Sequence, residues 1–208
     1  MSARENILGR LRAARASAQS EPAAIIAAHQ RGPAPAPYAN RVERFMERAR
    51  SLSSSVARVA TLKHVPQEVV RYLAEQDIAP RFVCWPELQA LDWNGAPAVA
   101  MFRPAVPNDL IGVTGAFAAV AETGTLVMAS GETTPPATSL LPETHIAVLP
   151  AARIVDTMEE VFALLRAERS PWPRAVNLIS GPSRTADIEQ TVTLGAHGPY
   201  RVHVIVVG

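Results

Sequence analysis

Ile146-Ala147-Val148-Leu149, bounded by Pro142 and Pro150, is followed by Asp156-Thr157-Met158-Glu159-Glu160-Val161-Phe162-Ala163-Leu164-Leu165-Arg166, and then by Val176-Asn177-Leu178-Ile179. The first run is apolar throughout, which suits a strand covered on both faces. In the second, Met158, Val161, Phe162 and Leu165 recur at helical spacing and form one apolar stripe. The third is again short and mostly aliphatic. Strand, helix and strand in that order predict an α/β fold with a mainly parallel sheet flanked by helices.

The alternation continues outward from this stretch. Towards the C-terminus Val202–Val207 reads as a last strand, with His203 facing opposite to Val202 and Val204. Towards the N-terminus Thr125–Ala129, Ile111–Thr114, Val99–Phe102, Phe82–Trp85 and residues 56–61 read as further strands. Pro66 opens a helix that runs through Gln76, and Val42, Phe45, Met46, Ala49 and Leu52 mark another. Near-continuous aliphatic runs beyond residue 110 predict buried parallel strands. Ser2 and Glu5 have capping-box spacing, so residues 3–18 are expected to be a helix. Pro22, Pro33, Pro35 and Pro37 then make 20–38 an extended linker. The expected division is an N-terminal helix with a proline-rich linker over 1–38 and an α/β domain over 39–208.

Composition bounds the function. The 208 residues are 48% hydrophobic and 19% charged, enough for one well-buried core. A formal net charge of +1 gives no electrostatic case for binding nucleic acid or an acidic membrane surface. No apolar run reaches the roughly 18–20 residues that span a bilayer, and the arginine-interrupted N-terminus is not a secretory signal. A cytoplasmic location is expected. Cys84, the single cysteine, cannot form an internal disulfide or hold an iron–sulfur cluster or a structural zinc by itself, and its apolar setting predicts a buried residue. No metal and no cofactor site is expected. Lys63, the only lysine, has no Schiff-base context. Neither dinucleotide nor P-loop glycine fingerprint occurs.

Candidate chemistry lies in the C-terminal half, between Glu122 and Pro199. Ligands of open parallel sheets bind beyond strand ends, where three segments gather polar groups. In Ala121-Glu122-Thr123-Gly124-Thr125 the glycine permits a tight turn, its N–H groups are expected to face a ligand, and Glu122 is a candidate base or nucleophile. In Ser180-Gly181-Pro182-Ser183-Arg184-Thr185-Ala186-Asp187-Ile188-Glu189, two hydroxyls and a guanidinium suit a carboxylate or phosphate, with Asp187 supplying acid. The competing reading is a helix cap with Arg184 paired to Asp187 or Glu189. In Gly195-Ala196-His197-Gly198-Pro199 the histidine is a candidate proton carrier. Segments 122–125, 180–187 and 195–199 are expected to line one cleft.

Together with Ser139-Leu140-Leu141-Pro142 and His145, these strings closely resemble the lactate-utilisation protein C family, or LUD domain, in order and spacing. The resemblance is strong over 108–208 and thin over 1–107. It implies a fold like that of sugar-phosphate isomerases and coenzyme A transferases, with the site at strand ends. It also implies a bacterial system that oxidises L-lactate to pyruvate, in which iron–sulfur clusters belong to partner proteins. Two functions follow. One is a non-redox component that binds those partners and a small carboxylate or phosphate. The other is a stand-alone enzyme using Glu122 and His197 on a small acid or its coenzyme A ester, by analogy with transferases that use a glutamate.

Overall fold

A computed structural model describes residues 3–17, 36–185, 193–194 and 198–208. Two compact units divide the chain, Met1–Pro35 and Ala36–Gly208. The first contains helix α1 (Ala3–Ser17). Of the linker expected over 20–38, residues 20–35 lie outside the described residues.

The body begins with α2 (Arg41–Ser51), whose N-cap Asn40 accepts from the Glu43 N–H at 3.1 Å. β1 (Ser55–Val59), α3 (Val65–Glu75), β2 (Arg81–Cys84), β3 (Val99–Phe102) and β4 (Ile111–Gly115) follow. β5 (Ala118–Val120) and β6 (Thr125–Ala129) form a hairpin, and α4 (Ala137–Leu140) is a single turn. Next come β7 (Thr144–Pro150), β8 (Ile154–Val155), α5 (Met158–Glu168), β9 (Val176–Ile179), the short pair β10 (Arg184–Thr185) and β11 (Thr193–Leu194), and β12 (Arg201–Val207).

Six strands make an all-parallel sheet in the order β1-β12-β7-β4-β2-β3. The α/β expectation holds, and β7 is indeed buried on both faces. Ile146 and Val148 face α3, where they meet Val69 and Leu73. Ala147 and Leu149 face the other way, towards Phe45, Met46 and Ala49 of α2. Alternation of side chains along one strand thus supplies two cores.

A second sheet, β8-β5-β6-β9, covers the α2 side. Its Ala119, Ala121, Leu126 and Met128 join the α2 core, while Ala118, Val120 and Val127 pack on Val161 and Leu165 of α5. Here the expectation of parallel strands fails for β6 and β9. They pair antiparallel with each other, and β6 also pairs antiparallel with β5. Sandwiching between the large sheet and α5 buries both faces of β6, so its sequence looks like that of a central parallel strand. β9 departs further. It lies at the edge of the second sheet with Leu178 47% exposed, not fully buried as its sequence suggests. Cys84 is fully buried, and desolvation pushes its thiol up. Among the described residues no helix is long and apolar enough to cross a membrane.

Candidate functional site

The β5–β6 turn carries the first candidate segment. Gly124 has φ +68°, and a Cβ there would lie 2.7 Å from both the Ala49 nitrogen and the Arg48 carbonyl carbon. The turn therefore rests directly on the backbone of α2. The expectation that its N–H groups face a ligand is corrected at two positions. The Gly124 N–H donates to the Val120 carbonyl at 2.9 Å, and that of Glu122 donates to the Asp156 carbonyl at 3.1 Å. The half-exposed Glu122 carboxylate makes no hydrogen bond or ion pair among the described residues. Thr123 and Thr125 hydroxyls lie 2.7 Å apart, and Thr125 continues to the Ser180 hydroxyl at 2.8 Å.

That hydroxyl chain ties the first segment to the second. Gly181, at φ +91°, also rests on the end of α2, since a Cβ there would be 2.3 Å from the Leu52 carbonyl oxygen. Arg184 donates to the Ser53 hydroxyl. Ser183 donates through its backbone N–H to the Pro199 carbonyl at 2.8 Å, and a Cβ on Gly198 would touch the Ser183 Cβ at 3.3 Å. So Thr123, Gly124, Thr125, Ser180, Gly181, Ser183, Arg184 and Gly198 all border the end of α2 or one another. Thr185 pairs with Thr193 in the β10–β11 hairpin. Asp187 and His197 lie outside the described residues.

The motif around Ser139 and His145 is structural. Gly112 leaves room for the Thr138 carbonyl oxygen, which would sit 2.0 Å from a Cβ at that position. This lets α4 lie flat on the sheet. His145, fully buried, shares a 2.8 Å hydrogen bond with Thr114, and desolvation lowers its pKa to about 4. It is a neutral core histidine at ordinary pH.

A separate cleft opens at the carboxyl ends of three neighbouring strands. Trp85 and Glu87 follow β2, Phe117 follows β4, and Arg153 follows β7. Glu168 and Arg169 close it from the end of α5. The sequence reading missed all of these. Clusters of Gly, Ser and Thr do not mark this cleft, whereas Glu87 just past β2 and Arg153 just past β7 were usable signals. Among the described residues no group of His, Cys, Asp and Glu stands close enough to hold a metal ion.

Residues 109–207 match the LUD domain family model. That stretch is similar to LUD domains. All three candidate segments and α4 fall inside that stretch, whereas Trp85, Glu87 and α2 lie before it. Lactate utilization protein C of Halalkalibacterium halodurans is 42% identical over 118 residues, covering 55% of this chain and 51% of that relative. The protein of the same name from Exiguobacterium sp. is 36% identical over 142 residues, 66% of this chain and 61% of the relative. The chain thus spans 51% to 61% of the length of these two curated relatives. A crystal structure of a DUF162 family protein from Deinococcus radiodurans superposes with a TM-score of 0.63 at 26% identity, over 84% of this chain and all of the other.

Proposed function

We propose that this chain is a non-redox component of a bacterial L-lactate utilisation system, working with iron–sulfur partner proteins that carry the electrons from lactate to pyruvate. The observation that carries this reading is the named similarity. Two relatives called lactate utilization protein C match this chain at 36% identity over 142 residues and 42% over 118. The lone Cys84, buried as it is, supports placing the clusters on partners, because a cluster ordinarily takes four cysteine ligands. In this reading the surface where Thr123, Thr125, Ser180, Gly181, Ser183 and Arg184 converge contacts a partner or a small carboxylate or phosphate. The exposed Ser180 hydroxyl and Arg184 guanidinium fork are groups that such oxyanions satisfy.

The experiment is deletion of the gene in its host, followed by growth on L-lactate as sole carbon source and co-purification from the complemented strain. Loss of growth, restored by the intact chain, and recovery of iron–sulfur proteins with it are expected. Normal growth on L-lactate without the chain refutes the role.

A further inference from the structure

The cleft at the carboxyl ends of β2, β4 and β7 holds two charged groups, Arg169 and Glu87, that its own residues engage in no hydrogen bond or ion pair. Arg153 and Arg169 place their guanidinium carbons 4.7 Å and 4.9 Å from the centroid of the same Phe117 ring. Arg153 is fully engaged. Its Nε donates to the Phe117 carbonyl at 2.8 Å, and its fork grips Glu168 through two hydrogen bonds of 2.9 Å. The guanidinium of Arg169 has no hydrogen bond and no ion pair among the described residues. Across the cleft, the Glu87 carboxyl likewise has neither. Glu87 lies over the end of β4, where a Cβ on Gly115 would be 2.2 Å from Glu87 Oε1.

Two guanidinium groups thus face two carboxyl groups, and only the Arg153–Glu168 pair is held together by hydrogen bonds. Although its side chain reaches solvent, partial desolvation raises the Glu87 carboxyl, and Arg169 opposes that shift. The space between them is about 250 Å³, walled by Trp85, Phe117 and Ala129. That is below the usual range for drug-sized ligands and suits a molecule of a few heavy atoms.

We propose that this cleft binds a small 2-hydroxy acid as its monoanion, with the carboxylate on the guanidinium of Arg169 and the hydroxyl donating to the carboxylate of Glu87. The pairing favours such an acid over phosphate. A planar fork matches a carboxylate bidentately. A second acidic group in the site repels a dianion but accepts a hydrogen bond from a hydroxyl. The inference rests on the lactate reading only for the choice of 2-hydroxy and 2-oxo acids as probes.

The test uses the purified full chain at low salt. L-Lactate, pyruvate, acetate and inorganic phosphate are titrated separately, read by calorimetry and by fluorescence, to which the wall residue Trp85 contributes. L-Lactate is expected to bind with a Kd on the order of 1 mM or below, and more tightly than pyruvate, acetate or phosphate. Arg169→Gln should weaken that binding about tenfold or more with an unchanged melting temperature. Glu87→Gln should narrow the preference over acetate. Lys63→Gln, exposed and outside the cleft, should bind as the parent does. Should Arg169→Gln fold poorly, Arg169→Lys keeps the charge, loses the fork, and should still bind more weakly. The proposal is overturned if L-lactate does not bind, if pyruvate or phosphate binds as tightly, or if both Arg169 variants bind like the parent. Binding here with normal growth of the deletion strain would sink the lactate role and leave the cleft standing. Failure to bind with a growth defect would do the reverse.

Discussion

Replacing Gly124 by alanine tests whether the β5–β6 turn is seated on α2 as described. Two effects act together. At φ +68° a Cβ meets the steric penalty of left-handed backbone, about 1–2 kcal/mol. The same Cβ would approach the Arg48 carbonyl carbon and the Ala49 nitrogen to 2.7 Å, and the Arg48 Cβ to 2.8 Å. Backbone in the last turns of a helix cannot swing aside as a flexible side-chain end would, so the turn or the helix must move. Overpacking of this kind typically adds about 1–3 kcal/mol. The expected loss is therefore about 2–5 kcal/mol, a large share of the roughly 5–15 kcal/mol that holds a domain together. In a body of this size that corresponds to about 5–15 °C in melting temperature. Urea unfolding followed by circular dichroism should show a lower midpoint with an unchanged slope. Gly9→Ala is the control, because nothing lies within 4 Å of a Cβ in that helical position; it should not destabilise. If Gly124→Ala lost less than about 1 kcal/mol, the close approach to α2 would be wrong, and the glycine would be free for the ligand-facing role that its motif suggests.

His145 and His203 are both buried, and desolvation lowers each to about 4 from an ordinary 6.5, with Glu68 pulling His203 partly back. Between pH 6.5 and 4 the unfolded chain then binds more protons than the folded one. Stability should rise with pH across that window and drain away as the pH falls through it, by about 2 kcal/mol per histidine at pH 5; equal urea midpoints at pH 7 and pH 5 would contradict this. Thr125→Val keeps the shape of a 3%-exposed side chain but breaks the hydroxyl chain from Thr123 to Ser180, so a loss of about 1 kcal/mol is expected in the same denaturation assay. Arg184→Lys, at an exposed position tied to Ser53, should melt within about 2 °C of the parent. Under the proposed function it should nonetheless reduce growth on L-lactate, and unchanged growth would leave the arginine as a surface tie between β10 and the end of α2.

What the sequence revealed and what it hid divide along a physical line. Patterns that depend on one segment were legible. Thr125–Ala129 and Val176–Ile179 are strands over the residues expected, and Val99–Phe102 likewise. His203 does face opposite to Val202 and Val204, where it stacks on Tyr72 at 3.9 Å between ring centroids. Pairing partners were not legible, because an aliphatic run records how deeply a strand is buried and not which neighbour buries it. β6 is as apolar as β7, yet one runs antiparallel under α5 and the other parallel at the centre. β5 escaped notice because Ala118 and Ala119 are small and carry no alternation, although both are fully buried.

The two candidate surfaces differ in the same way. Thr123, Gly124, Ser180 and Arg184 stood out because each sits in a local string rich in turn and hydroxyl residues. Yet Gly124 and Gly181 turn out to be spacers against Arg48, Ala49 and Leu52, residues on and just after a helix some 70 to 130 positions earlier that carry no motif of their own. A glycine kept for a close approach and a glycine kept for a ligand leave the same mark in a string. The cleft of Glu87, Phe117, Arg153 and Arg169 is the opposite case. No two of these residues are near one another in sequence, and each alone reads as a surface charge or a core aromatic. They meet because β2, β4 and β7 are adjacent in the sheet and end on the same side, and because α5 returns its last turn across them. Only topology creates that site, so order in the sheet, rather than any motif, is what directs attention to Glu87 and Arg169.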